Sequence, residues 1–417
     1  VLVLDHHLPG SALPEVQAIV NPSRADCHAG QEALCAAGVA FLTLVATNRT
    51  LRTRGFFTAA RPEPDLRQGL DLVALATVAD VAPLTGLNRA FVRQGLGVLA
   101  RRQRPGLAAL ADVARLTAPP TSRDLGFALG PRINAGGRIG EASLGVCLLS
   151  STCPHEAANL AERLDRLNSE RRAIDAGVLE AAIAQIEARD PSAPLVWAAA
   201  EGWHPGVLGI VASRLKERFN RPALAIGLDE TLGRGSGRSV AGVDLGAAVG
   251  ALAEAGVLLK GGGHAMAAGL TLERPRLDEA MTQLSARLAA QGAGGGGPTD
   301  LVLDGALAPG GATVDLVEAM ERAGPYGQAN PAPRLGFGEV VVQSLRLTAN
   351  GHALLRLGRA GGRVEAVAFG AGTKGLAPAL EAAAATRAPL HVAGRLEIDD
   401  WGGRRRAKLR IEDLARP

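Results

Sequence analysis

The sequence predicts an α/β protein: two α/β domains, a long helix bridging them, and a small C-terminal β-barrel of the OB type. Three observations carry that prediction. The opening run "VLVLD" is apolar without a break and ends in an acid, as a strand covered on both faces of a parallel sheet does. Residues 154–189 hold a helical pattern with charge on most faces, which suits a bridge between two bodies. After the glycine-rich linker "QGAGGGGPT" at 291–299, short alternating runs follow one another at strand length, the pattern of a small barrel.

Residues 1–5 read as a short, fully buried strand, and residues 30–46 as a helix with an almost wholly apolar surface. The stretch 69–81, "GLDLVALATVADV", runs apolar into Asp80 and then reaches Pro83. It is either a helix followed by a turn or a strand ending at an acid, and periodicity does not decide. Helical patterns follow at 88–101 and 106–116. The long helix opens on "CPHEAANLAERL", with Pro near the first turn and acids close behind. From 195, "LVWAAAEG" reads as a strand, "WHPG" as a turn, "VLGIVASRLKERF" as a helix and "RPALAIGLD" as a strand, an order that implies a parallel crossover. Trp203-His204 in that turn reads foremost as a packed Trp and a capping His. Beyond the linker come "DLVLDGAL", a helix near 313–323, strand-like runs at 335–346, 353–358, 363–369 and 389–398, and a closing "RRRAKLRIEDL". The expected division is 1–153, a bridging helix at 154–190, 191–291, and 299–417.

A chain of 417 residues suffices for two to four domains, and 47% apolar residues supply sizeable cores. The 45 basic residues against 41 acidic ones leave a mild net charge of +4, which does not announce a polyanion partner. Only four of the basic residues are Lys. Arg presents a rigid fork that matches phosphate oxygens; a GC-rich genome accounts for the total, so weight falls on Arg inside motifs. Cys27, Cys35, Cys147 and Cys153 form no C-x-x-C pair and suit neither a zinc site nor a disulfide framework, in keeping with a reducing cytoplasm. No apolar run reaches the length of a membrane span and no signal peptide is visible. With no initiator Met and a strand pattern from the first residue, the chain reads as cut at its N-terminus.

Asp5-His6-His7 at the end of a buried strand is a plausible ligand set for a divalent metal, since mixed oxygen and nitrogen donors suit manganese, zinc or iron, and magnesium where oxygens dominate. A capped strand end with two surface histidines explains the triplet equally well in isolation. Asp80 in "ATVADVAPL" is a further acid placed directly after an apolar stretch. "GPRINAGGRIG" at 130–140 sets Arg132, Asn134 and Arg138 among glycines, "GRGSGRSV" at 233–240 puts Ser236 and Arg238 in a flexible loop, and "GGGHAMAAG" at 261–269 joins glycines and His264 to helix formers. Glycine-rich turns expose N–H groups to phosphate, although close packing calls for glycine as well. None is a Walker A loop, because no G-K-[ST] is present. "GGRRRAKLR" at 402–410 is either a solvated hairpin or a phosphate-tracking stripe.

Together "LDHH", "ATVADVAPL", "QRPGLAAL", "GPRINAGGRIG", "WHPGVLGIVASRL", "GSGRSV", "GGGHAMAAG" and "GPYGQANPAP" occur in the order found in the RecJ family of the DHH phosphoesterase superfamily, and the resemblance runs from residue 2 past residue 333. It implies a parallel-sheet DHH domain whose N-terminal part is absent, the bridging helix, a DHH-associated α/β domain and an OB-like barrel. It implies a 5′→3′ exonuclease for single-stranded DNA that uses two Mn2+ or Mg2+ ions, in DNA repair and recombination, with a single-strand-binding protein and a helicase as candidate partners and no membrane. His6 and Asp80 would be metal ligands; Asp5 would orient the shell and His7 would face the scissile phosphate. Arg138, Ser236 and Arg238 would grip the 5′-terminal phosphate, and Asn134 and His264 would touch the strand. The family's first two metal-binding motifs precede DHH and have no counterpart in the chain, so the chain alone is expected to be inactive. Ala329 stands where the family has Gly. Competing readings are a non-catalytic single-strand-binding module and a DHH phosphodiesterase for short oligonucleotides or cyclic dinucleotides. Aromatic residues are only 3%, so grip on a strand should be electrostatic and salt-sensitive.

Overall fold

The computed structural model describes residues 1–10, 12–295, 300–372, 375–400 and 403–417. The chain forms two compact units. One comprises Val1–Arg101, Ala118–Gly130 and Asp300–Pro417; the other comprises Arg102–Thr117 and Pro131–Thr299. Of the expected linker at 291–299, residues 296–299 lie outside the described residues.

The first unit opens with β1 (Leu2–Leu4) paired in parallel with β2 (Ala18–Val20). The strand exists, but it is not fully buried: Leu2 is 54% exposed. A two-stranded pair covers only part of each strand, and β2 is the one neighbour of β1 among the described residues. The first helix runs Ala36–Thr53, later than expected, and leaves Leu44 and Val45 exposed, so only one stripe is buried. The ambiguous stretch resolves as a helix, Leu70–Ala79, lying against a second one, Gly86–Leu99. Gly95 makes that approach possible, since a Cβ there would stand 2.1 Å from Leu70 O. A Thr121 capping box starts a short turn, Ser122–Asp124, which passes into a π-helical turn, Leu125–Leu129, packed on Leu70–Ala79.

In the second unit the long helix spans Pro154–Arg189, as the pattern predicts. It is not polar all round. Ala157, Ala161 and Leu164 begin a buried stripe that Val178, Ala182 and Ile186 complete. Helices Pro105–Val113 and Ser143–Ser150 pack on this long helix. The sheet contains β3 (Val196–Glu201), β4 (Ala223–Leu228), β5 (Leu232–Arg238), β6 (Lys260–His264) and β7 (Ala267–Glu273), in the order β3-β4-β5-β7-β6. β3 and β4 are parallel and joined by helix Pro205–Phe219, the expected crossover; the other pairings are antiparallel. One face buries Leu224, Ile226, Leu270 and Leu272 in a core with helices Leu245–Glu254 and Leu277–Ala290. The other buries Val196, Ala198, Ala223 and Ala225 with Val207, Leu208, Val211 and Leu215 and the end of the long helix.

Three glycine-rich segments differ from expectation. "GRGSGRSV" is no loop: residues 232–238 are the central strand β5. Its glycines alternate with Arg234, Ser236 and Arg238 at the two-residue period of a strand. A Cβ at Gly237 would lie 2.7 Å from the Leu245 side chain, so the glycine side is where neighbouring leucines press in. "GGGHAMAAG" is a β-hairpin of β6 and β7, because sheet pairing overrides the helix propensity of its alanines. "GPRINAGGRIG" is mostly helix, Gly130–Ile139. There Gly136 is buried, and a Cβ on it would stand 2.9 Å from Glu141 O and 3.3 Å from the Leu164 side chain.

The chain then returns to the first unit. β8 (Gly305–Ala306) adds in parallel to β9 (Leu335–Leu347). β10 (Ala353–Arg359), β11 (Gly362–Ala368), β12 (Leu390–Asp399) and β13 (Arg406–Ala415) complete a closed barrel in the order β9-β10-β11-β13-β12 and back to β9. Only β11 and β13 are parallel around this ring, which is OB-type closure. All five expected runs are strands, and the helix near 313–323 is Val314–Arg322. Helix Ala377–Thr386, between β11 and β12, was not foreseen, although "LAPALEAAAAT" carries a first-turn Pro and an alanine run. Phe337, Val340, Leu357, Val364, Leu409 and Ile411 fill the barrel.

Candidate functional site

In the first unit, β1 delivers Asp5, whose N–H donates to Val20 O at 3.1 Å, so the triplet begins where the parallel pairing ends. Asp5 Oδ1 accepts from the N–H of His6 at 2.8 Å and from that of His7 at 3.3 Å, and it lies 2.7 Å from His7 Nδ1. These contacts, the His7 ring foremost, hold the Asp5 carboxyl below the ordinary carboxylate range against the opposing pull of burial. With Nδ1 committed to Asp5, the outward nitrogen of the exposed His7 ring is Nε2. The structure brings His6 and Asp80 together: His6 Nδ1 is 3.6 Å from Asp80 Oδ2. That is too long for a hydrogen bond, yet metal bonds of about 2.1 Å place neighbouring ligand atoms roughly 3–3.5 Å apart. Donor atoms of Asp5, His6 and His7 all lie within 4.8 Å of one another. Donor type and spacing therefore fit a divalent cation.

Residues that sequence reasoning missed hold this site. Asn21 Nδ2 donates to His7 O and Ser23 Oγ donates to His6 O, both at 2.8 Å, while Ser23 N donates to Asn21 Oδ1. The "NPS" directly after β2 thus clamps the carbonyls of both histidines; a turn tripeptide after an apolar run was the available signal. Asp80 caps helix Leu70–Ala79, and the chain leaves through Val81 at φ +58°, a left-handed conformation that a β-branched residue adopts only under strain. "GPYGQANP" fastens the same turn through Leu84 N, which donates to Gln328 O at 2.7 Å; Ser122 Oγ donates to Tyr326 O at 2.7 Å, and Arg89 donates to Ala323 O just before the segment. Ala329, where Gly was expected, has φ +56°, a left-handed position for which Gly is the natural occupant.

In the second unit, Ser236 and Arg238 leave β5 on the same face, two residues apart. Arg238 Nη1 donates to Ser236 Oγ at 3.3 Å and to Gly237 O at 2.8 Å. Gly209, in the first turns of helix Pro205–Phe219, lies against them: a Cβ there would be 3.1 Å from both Arg238 Nη2 and Ser236 Oγ. Arg138, from the end of helix Gly130–Ile139, donates to Gly206 O at 2.9 Å. Burial pulls the Arg238 guanidinium below its ordinary proton affinity, and the Arg138 charge pulls it further. Neither arginine has a carboxylate within ion-pair distance among the described residues. Two cations, a hydroxyl and a helix N-terminus, with no carboxylate paired to either cation among the described residues, suit a phosphate. His204 caps that helix, accepting from Gly206 N at 3.1 Å, the capping role expected of it from the sequence.

Asn134 lies one helical turn before Arg138 and is exposed. His264 ends β6 and is also exposed. It pairs in register with Ala267, which in turn pairs with Arg238, so His264 and Arg238 share a sheet face two strands apart, on the order of 10 Å. In the basic run at 402–410, Gly402 lies outside the described residues, and Arg405, Arg406, Lys408 and Arg410 each have a carboxylate within 3.5 Å. The described part of that run is largely neutralised.

Residues 192–297 match the DHHA1 domain family and residues 303–413 the RecJ OB domain family. The chain is 40% identical to the single-stranded-DNA-specific exonuclease RecJ of Dickeya dadantii and 38% identical to that of Escherichia coli. Each alignment covers 99% of this chain and 73% of the relative. A crystal structure of RecJ from Thermus thermophilus in complex with Mn2+ superposes with a TM-score of 0.80 at 30% identity, over 100% of this chain and 58% of that one. The Mg2+ complex from the same organism gives 0.76 at 28% identity, over 100% and 60%. On the strength of identity spread over nearly its whole length, the chain belongs to the RecJ family.

Proposed function

We propose that this protein is a metal-dependent 5′→3′ exonuclease that hydrolyses single-stranded DNA from a 5′-phosphorylated end. The observation that carries this reading is the convergence of His6 and Asp80, far apart in sequence, beside an Asp5–His7 pair. The relatives named as single-stranded-DNA-specific exonucleases and the Mn2+ and Mg2+ complexes support it. Residues 1–153 then form the phosphoesterase domain, 154–190 the bridging helix, 191–291 the DHH-associated domain and 299–417 the barrel. Among the described residues no helix is long and apolar enough to cross a membrane; the proposed setting is the cytoplasm, with a single-strand-binding protein and a helicase as partners in repair.

His6 and Asp80 would hold Mn2+ or Mg2+, with Asp5 fixing the ring of His7 beside it. A bound divalent ion supplies Lewis-acid charge at the phosphoryl oxygens and lowers the pKa of water. Asp5 keeps the His7 ring oriented with Nε2 outward, where it meets the scissile phosphate and stabilises developing charge or carries a proton. Arg138, Ser236 and Arg238 hold the terminal phosphate and so set polarity. Asn134 and His264 steady the adjoining backbone. A two-ion reaction needs more carboxylates than this group offers, so we further propose that hydrolysis draws on ligands beyond His6 and Asp80.

The test is manganese-dependent release of mononucleotides from 5′-phosphorylated single strands, using this chain and the full reading frame that contains it, each beside Arg238→Ala. Arg238→Ala should abolish the preference for 5′-phosphate over 5′-hydroxyl ends. Turnover of dinucleotides but not of long strands would replace the reading with a short-oligonucleotide phosphodiesterase. Binding without hydrolysis in every form would leave a non-catalytic module.

A further inference from the structure

The long helix contains a polar interruption that the proposed chemistry does not use. Its buried stripe is apolar before and after, but Asn168, Arg171 and Asp175 occupy the middle. Asp175 is 1% exposed and Arg171 8%. Arg171 Nη1 donates to Asp175 Oδ2 at 2.7 Å and Nη2 to Asn168 Oδ1 at 2.9 Å. The set is incompletely satisfied, since Asp175 Oδ1 and Arg171 Nε are buried without a hydrogen-bond partner. Buried pairs of this kind seldom add stability over apolar residues of similar volume, and orphaned polar atoms detract from it. A packing role alone does not explain them.

Their surroundings do. Asp175 lies in the fields of Arg171, Arg214 and Arg138, and Arg171 in those of Arg138, Arg172 and Arg214. Arg138, which anchors on Gly206 O, in turn acts on Arg238. The interruption falls where the stripe passes from Leu164, packed near Gly136 of the Arg138 helix, to Val178, packed with the Gly206 helix. Asp175 is thus a buried carboxylate placed where the charges of both Arg138 and Arg214 reach it. We propose that Asp175, with Arg171, is a positioning residue for end recognition: its charge offsets the repulsion among these arginines and keeps Arg138 seated on Gly206 beside Arg238 before a phosphate arrives. The inference rests on the reading of Arg138, Ser236 and Arg238 as the phosphate pocket.

Binding of 5′-phosphorylated and 5′-hydroxyl oligothymidylate, compared by dissociation constant in the full chain without metal, tests it. Asp175→Asn should lower the preference for the phosphorylated strand at least tenfold and leave the affinity for the hydroxyl strand within twofold. The double variant Arg171→Met, Asp175→Leu, which fills the same volume with apolar groups, should melt at or above the wild-type temperature and show the same loss. A merely structural pair would leave the preference unchanged in that stable protein. If Arg238→Ala erases the preference while both Asp175 variants retain it, the positioning role is overturned and the pocket stands. If Arg238→Ala retains it too, the pocket reading falls and this inference falls with it.

Discussion

Gly209→Ala separates pocket geometry from folding, because the two effects have opposite signs. Replacing a helical glycine by alanine stabilises a helix by about 1 kcal/mol through lost freedom in the unfolded chain. Here the new methyl would stand 3.1 Å from Arg238 Nη2 and 3.1 Å from Ser236 Oγ, inside the roughly 3.5–4.0 Å of a relaxed carbon contact. The guanidinium is the flexible partner and would retreat by a few tenths of an ångström. A charge-assisted hydrogen bond contributes about 1.5–3 kcal/mol, so misplacing one should weaken binding of a 5′-phosphorylated strand by about 10- to 100-fold. A 5′-hydroxyl strand should bind as before. Thermal unfolding and dissociation constants for the two oligonucleotides, measured on one preparation, check both signs. An unchanged preference for the phosphorylated end, or equal loss on both strands, would refute the placement of the phosphate against Arg238 and Ser236.

Two further outcomes follow from other parts of the chain. Val81 is 65% exposed, so Val81→Gly loses little packing; relief of left-handed strain of about 1–2 kcal/mol, less the entropy of glycine, should raise stability in urea by up to about 1 kcal/mol. Mn2+ affinity should drop as Asp80 loosens, whereas a destabilised Val81→Gly protein would mean that the turn is not strained. In the barrel, burial opposes ionisation of Glu412, but the Arg334 hydrogen bond and the charges of Arg395, Arg334 and Arg410 outweigh it and hold its pKa below the ordinary 4.5. A depressed carboxylate stabilises fully above its unfolded pKa and ceases to do so as pH falls through the folded one. The stability gap between wild type and Glu412→Gln should therefore be constant from pH 7 to about pH 5 and shrink below about pH 4.5; a gap that widens on acidification would contradict the assignment.

Long, periodic elements were legible because their signal is local. The helix Pro154–Arg189 and the barrel strands repeat their pattern over many residues, and the parallel crossover at Val196–Leu228 follows from strand–helix–strand order alone. The stretch before Asp80 was not decidable, since a helix buried on most sides and a buried strand share the same apolar run; packing against Gly86–Leu99 settles it. The glycine segments failed for a related reason. Glycine signals that a backbone must turn or that something must come close, and composition does not distinguish the two. At Gly237 the something is a leucine from another element, and at Gly136 it is the Glu141 carbonyl with Leu164 behind it; the two-residue alternation in "GRGSGRSV" was the better guide.

The same distinction governs the site. The side chains proposed to carry the chemistry, Asp5, His6, His7, Asp80, Arg138, Ser236 and Arg238, announce themselves by type. The groups that place them do so through contacts at long separation, which no local pattern encodes: Asn21 on His7 O, Gln328 on Leu84 N, and Gly206 O under Arg138. Those contacts are backbone-directed, so many residue types could replace the main-chain acceptors while few could replace Asn21. Asn21→Ala leaves the His7 carbonyl without its donor and Ser23 N–H without its acceptor, a double loss that a main-chain contact cannot suffer by substitution. The support of this site is therefore concentrated in a few side chains that look like ordinary turn residues, which is why a sequence reveals its reagents more readily than its scaffold.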